Sequence, residues 1–212
     1  MKGVVAAVAL FLAPFCLVAA DDSNAVPSSG SSPAGKLLID FTSPDAEAQV
    51  KAIEGNPQGS VVRVDEKGIS VDIPGKPGKV DHAGLRVFPP KGEKFWDLSA
   101  YGHVEARITN TSPDKSFDIV MHVVDDEDEF WRERKTEFVT FKPGQTRVLK
   151  VIFGYQYGFK PGPPLKASRV DEIYFFMWGG NPIDRPFRIE ELKAAGVAGE
   201  KPVANPSSVS NP

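Results

Sequence analysis

A single cysteine, Cys16, stands in 212 residues, so no intramolecular disulfide can brace this protein. Cys16 lies inside an apolar N-terminal run. The residue before it is Phe15, not the small residue that precedes a lipidated cysteine. The fold must therefore be held by its core alone. That is feasible, because a domain of ~150 residues buries about 70% of its unfolded surface. Histidine is nearly as scarce. His82, His103 and His122 show no HxH or HExxH spacing, and without cysteine beside them no zinc site is expected. No basic tract occurs, which argues against nucleic acid and anionic membrane as partners. Nucleotide-binding and serine-hydrolase signatures are missing as well.

The one long apolar run, Val4 to Ala20, follows Met1-Lys2, contains Pro14 and closes on Val18-Ala19-Ala20 before Asp21-Asp22. A basic start, an apolar stretch short for a membrane span and small residues at its end form the pattern of a secretory signal peptide. Residues 1–20 are expected to be that signal, and the protein to be periplasmic or extracellular. Removing them takes away Lys2, one of 25 basic residues, and none of the 28 acidic ones. That leaves 24 against 28, a formal charge of −4. No second long apolar segment follows, so no membrane span is expected in the mature chain.

Residues 21–35, DDSNAVPSSGSSPAG, are too poor in apolar side chains to fold and read as a linker. Residues 196–212 have the same character and read as a tail. The folded domain is thus expected over 36–195. Within it, the chain's 19 glycines and 19 prolines mostly separate short apolar runs. Strand candidates are Leu37–Phe41, Ser60–Asp65, Gly68–Ile73, Gly84–Phe88, His103–Asn110, Phe117–Val124, Glu133–Phe141, Thr146–Phe153, Val170–Trp178 and Phe187–Leu192. Val104, Ala106 and Ile108 alternate with Glu105, Arg107 and Thr109, and Phe117, Ile119, Met121 and Val123 form another such face. A period of two marks a half-buried strand. Asp45–Ile53, after Ser43-Pro44, is the one helix candidate. Pro143-Gly144 signals a tight turn, and Asn110–Lys115 a hairpin-type connection. Many short strands divided by turns give an all-β fold, an antiparallel two-sheet β-sandwich of jelly-roll type, ahead of an immunoglobulin-type sandwich.

Chemistry is harder to find. Plentiful carboxylates do not place two across a cleft, as a glycosidase requires. A jelly-roll polysaccharide lyase would use Tyr, His, Gln and Arg on a sheet face. Tyr155-Gln156-Tyr157 and Arg132-Glu133-Arg134 offer such groups without matching the RTELR or QIH signatures. The acidic run Asp125-Asp126-Glu127-Asp128-Glu129 reads either as a cation site or as a solvated hairpin tip that blocks edge pairing. The aromatics Trp96, Trp131, Trp178, Tyr155, Tyr157 and Phe159 fall at strand ends or in loops. A sugar ring presents a flat C–H face that stacks on such rings, although sandwiches also bury them.

The order of motifs completes the reading. Phe95-Trp96-Asp97-Leu98-Ser99-Ala100-Tyr101 leads into a strand ending at Asn110-Thr111. Then come Phe117–Asp125, Trp131 and Phe141-Lys142-Pro143-Gly144-Gln145-Thr146. Val170-Asp171-Glu172-Ile173-Tyr174-Phe175 and Phe187-Arg188-Ile189-Glu190-Glu191-Leu192 follow. This order resembles the galactose-binding-like β-sandwich found as a non-catalytic carbohydrate-binding module beside agarase-type glycoside hydrolases, over about Leu37 to Leu192. The resemblance implies no required cofactor but a structural Ca²⁺ near the first and last strands, where Asp40 and Glu190 are the acidic residues. Such modules often read IDNI in the last strand, where this chain has Ile189-Glu190-Glu191-Leu192. With only the Pro/Ser-rich tail after the domain, a free-standing module without a catalytic barrel is expected. The expected function is binding of a polysaccharide or oligosaccharide without catalysis. Trp131, Trp178, Tyr155 and Tyr157 are the expected platforms, with Asp126, Arg132 and Asn181 as polar partners. A structural or protein-interaction sandwich of the envelope and a polysaccharide lyase are the alternatives.

Overall fold

Alternating apolar residues dictate two layers here. In the computed structural model, residues 34–53, 59–75, 83–126, 135–178 and 183–203 are described. The expected signal at 1–20, most of the linker and residues 204–212 lie outside them. The strands are β1 (Lys36–Leu37), β2 (Val50–Ala52), β3 (Val61–Asp65), β4 (Gly68–Asp72), β5 (Ala83–Val87), β6 (His103–Asn110) and β7 (Phe117–Asp125). They continue with β8 (Lys135–Phe141), β9 (Thr146–Ile152), β10 (Tyr155–Gln156), β11 (Lys160–Pro161), β12 (Val170–Met177) and β13 (Phe187–Ala195). One sheet runs β3-β4-β13-β6-β9, with β1 also on β13; the other runs β2-β5-β12-β7-β8, and β10-β11 form a small ribbon. Every pair is antiparallel, which makes the expected jelly-roll sandwich.

The core fills the space between the sheets. Val104, Ala106 and Ile108 of β6 face Phe117, Ile119, Met121 and Val123 of β7, all buried. Each such side chain contributes about 1.5–3 kcal/mol on burial. Trp96 belongs to this core, at 1% exposure, and its backbone N–H donates to Val170 O at 2.8 Å. Gly68 has φ +127°, and a Cβ there would lie 2.0 Å from Ile189 O, so only glycine lets β4 close onto β13.

Two local expectations are corrected. Asp45–Ile53 is not a helix but a 3₁₀ turn, Glu47–Gln49, followed by β2. Buried Gln49 explains this, because its side-chain amide donates to Leu38 O at 3.2 Å and Phe88 O at 2.9 Å. Those bonds tie the segment to its neighbours, and Val50 then pairs with Val87 in the sheet. Asn110–Lys115 is not a hairpin either, since β6 and β7 lie in different sheets. The Asn110 amide donates to Lys115 O and Phe141 O, while its oxygen accepts from Ser112 N–H, so one buried side chain shapes a crossing between layers. Pro143-Gly144 does form a turn, with Gln145 N–H donating to Lys142 O, but it too connects one sheet to the other.

Candidate functional site

β8 and β9 are the last strands of their sheets, so the sandwich is open between them. The β10–β11 ribbon sits at this opening. Its three-residue tip, Tyr157-Gly158-Phe159, has φ of +46°, +80° and +60° in succession. Consecutive left-handed residues turn their N–H groups toward one point, a nest suited to an anion. The anion is internal. The carboxylate of Glu137 on β8, only 5% exposed, accepts Gly158 N–H at 2.8 Å on each oxygen and Phe159 N–H at 3.1 Å. Tyr157 N–H also donates to Thr136 O at 2.8 Å. Left-handed backbone costs a non-glycine residue about 1–2 kcal/mol. Hydrogen bonds to a charged acceptor return about 1.5–3 kcal/mol each, so the carboxylate outweighs the strain. The tip is thereby held in one shape with its rings in solvent.

Around it opens a groove of about 950 Å³ whose walls include Phe138, Val148, Tyr155, Tyr157, Phe159 and Val203. Trp178, directly after β12, packs edge-on against Phe138 with ring centroids 5.1 Å apart. Among the described residues, the exposed aromatic side chains are Phe138, Tyr157, Phe159 and Trp178, and all four meet here.

Next to this rim, the outer face of the β2-β5-β12-β7-β8 sheet carries a cross-strand row. Lys51, Arg86, Tyr174, His122 and Thr136 are successive partners. Arg86 lies over the Tyr174 ring at 4.4 Å, and Thr136 Oγ1 is hydrogen-bonded to His122 Nδ1. Arg86 Nε stands 3.2 Å from Glu172 Oε1, an ion pair without hydrogen-bond geometry. Burial nevertheless pushes Glu172 up to about 7, with Arg86 opposing and Asp171 adding to the rise. Tyr174, His122 and Thr136 are buried, whereas Lys51 is exposed and Arg86 half-buried, so the row runs from a closed end on β7 and β8 to solvent at β2.

Of the expected binding residues, Tyr155 and Tyr157 line the groove and Trp178 adjoins it. Trp131, Arg132 and Asn181 lie outside the described residues. Asp126 sits elsewhere, since Asp125 pairs with Val170 at the far end of β12. The run from Val170 to Trp178 spans roughly 26 Å of extended chain. There Asp126 accepts Arg169 Nε at 2.7 Å and also pairs with Nη2, while Asp125 accepts Lys166 N–H at 2.6 Å, so both acids fasten the turn before β12. His103 is a satisfied buried histidine, 2.8 Å from Glu200 and 3.2 Å from Glu105. Sequence reasoning missed Phe138, Glu137 and the Arg86–Tyr174–His122 row. Glycines at 154, 158 and 162, alternating with aromatics, were the available signal for the loop.

The two calcium candidates do not fit a calcium site. Asp40 Oδ1 accepts Thr42 N–H and Oγ1–H, whereas Glu190 accepts Arg107 Nε and Thr109 Oγ1–H. Ca²⁺ takes 6–8 oxygens. Among the described residues, no group of three or more His, Cys, Asp or Glu is placed to hold a metal.

No protein-family model matches this chain, and no curated protein sequence does. Solved structures do share its fold. An exo-β-agarase matches at TM-score 0.58 and 12% identity, over 78% of this chain and 25% of its own. A second agarase matches at TM-score 0.59 and 11% identity, over 81% and 25%. The chain thus spans about a quarter of the length of these agarases. The family 11 carbohydrate-binding module of Clostridium thermocellum, solved with a β-1,3-1,4-mixed-linked tetrasaccharide, matches at TM-score 0.56 and 15% identity. That match covers 78% of this chain and 98% of the module. The chain therefore shares the β-sandwich fold of that module and of a segment of these agarases.

Proposed function

We propose that this protein is an exported, non-catalytic carbohydrate-binding module that holds a polysaccharide at the β8 edge. The observation that supports this most is the meeting of the four exposed aromatics at one groove. A folded protein normally buries large aromatic rings or scatters the few it exposes. Here a strained loop is fastened so that two of them stay in solvent. Apolar walls with a few polar groups are the usual make-up of a ligand site. Tyr157 and Phe159 would stack on sugar rings, and Phe138 with Trp178 would extend the platform along β8. The export part of the reading rests on the apolar run Val4 to Ala20 and its small-residue end.

Affinity electrophoresis through gels containing agarose, mixed-linkage glucan, polygalacturonate or a sulfated galactan tests the binding. Retardation in at least one gel, abolished by Tyr157→Ala, is the expected result. Equal mobility in all of them would overturn it. Incubating the protein with the same polymers should leave absorbance from new double bonds and released reducing ends at background. N-terminal sequencing of secreted protein should begin at Asp21.

A further inference from the structure

We infer that the groove is built for an anionic polysaccharide, one carrying carboxylate or sulfate groups. The inference rests on the glycan-binding reading above and narrows it to a substrate class. Among the described residues, three cations line the groove, Arg147, Lys150 and Lys201, against one carboxylate, Glu137. That carboxylate is buried and already accepts from the backbone amides of Gly158 and Phe159, so its charge is directed away from a ligand. Lys150 is partly answered by Glu200 at 3.9 Å. Arg147 is exposed and donates to Thr140 O at 2.8 Å, which leaves its charge uncompensated. Among the described residues, neither Arg147 nor Lys201 has a carboxylate within ion-pair distance. The chain as a whole carries −3. A cationic groove in an acidic protein attracts anionic chains while the rest of the surface repels them. An uncharged polymer would use the aromatic walls and could take hydrogen bonds from Arg147 and Lys201, but it would gain none of the charge pairing that an anionic chain gains there.

Isothermal titration of the full chain against polygalacturonate, a sulfated galactan and uncharged mixed-linkage glucan tests this. The expected result is tighter binding to one or both anionic polymers. That preference should fade toward about 0.5 M NaCl, where the screening length is roughly 4 Å. Arg147→Gln/Lys201→Gln should weaken anionic binding roughly tenfold and any neutral binding by much less, so that the preference between the two classes collapses. Lys201→Glu, which breaks no internal hydrogen bond, should do the same if the double variant folds poorly. The surface change Arg63→Gln, distant from the groove, should do nothing. The polygalacturonate and galactan arms separate carboxylate from sulfate recognition.

Neutral and anionic polymers bound equally and without salt dependence would overturn the anionic inference and leave the glycan site standing. Binding to no polymer would overturn both. A dimer in sedimentation that Phe159→Ser dissolves would overturn them in favour of a second copy of the chain.

Discussion

Glu137 and Tyr157 show how a single carboxylate can fix a binding loop. The nest at Gly158 and Phe159 forms only because an acceptor fills it. Glu137→Gln removes the charge and one acceptor oxygen. It should cost about 1–3 kcal/mol, lowering the melting temperature by several degrees, and loosen the tip, read as faster amide exchange at Gly158 and Phe159 and a several-fold loss of polysaccharide affinity. Tyr157→Gly separates strain from function differently. Relief of the left-handed strain at φ +46° returns about 1–2 kcal/mol, and glycine's extra backbone entropy costs about 0.5–1 kcal/mol. Thermal stability should hold or rise slightly while binding disappears. Glu172 carries a pH signature. Its pKa in the fold is about 7, above its ordinary 4.5, so the folded state prefers the protonated acid. Its contribution is fully present below pH 4.5 and is lost as pH rises through 7. Melting temperature should therefore decline across that window, and Glu172→Gln should flatten the decline.

The strands divide into a held centre and loose margins. β12 lies between β5 and β7, and β13 between β4 and β6, whereas β2, β8 and β9 each have a free side. Hydrogen exchange should be slowest in β6, β7, β12 and β13 and fastest in the β10–β11 ribbon, apart from its clamped tip. β5 is a sensitive neighbour. A Cβ at Gly84 would lie 1.9 Å from Phe175 O, inside the pairing of β5 with β12. Gly84→Ala should cost about 3 kcal/mol or more, measured by denaturant unfolding, because neither backbone can retreat. The candidate site owes its exposure to the same margins, since β8 and β9 end their sheets and Phe138 and Val148 stay in solvent there.

For the molecule as a whole, a single cysteine leaves the fold to its core and not to an intramolecular disulfide. The calcium candidates Asp40 and Glu190 are each engaged by hydrogen-bond donors. Chelation with EDTA should accordingly leave the melting temperature where it was, and a fall on chelation would show that other oxygens complete a site.

Much of the sandwich was legible. Val104, Ala106 and Ile108 announced their inward face because a strand's side chains alternate strictly. The turn at Asn110–Lys115 was legible as a turn but not as a crossing between sheets, because the same local chemistry serves both. Tyr155, Tyr157 and Trp178 could be picked as loop or strand-end aromatics. Phe138 and Glu137 could not, since whether a strand lies at an edge depends on pairing with residues far along the chain. By itself the sequence determined what is local: the absence of disulfides, the period-two strands and the glycine-marked loop at 154–162. Tertiary structure alone decided that Phe138, Tyr157, Phe159 and Trp178 share one rim and that Glu137's charge is consumed internally. Both outcomes depend on distances between residues remote in sequence, and no local pattern encodes those distances.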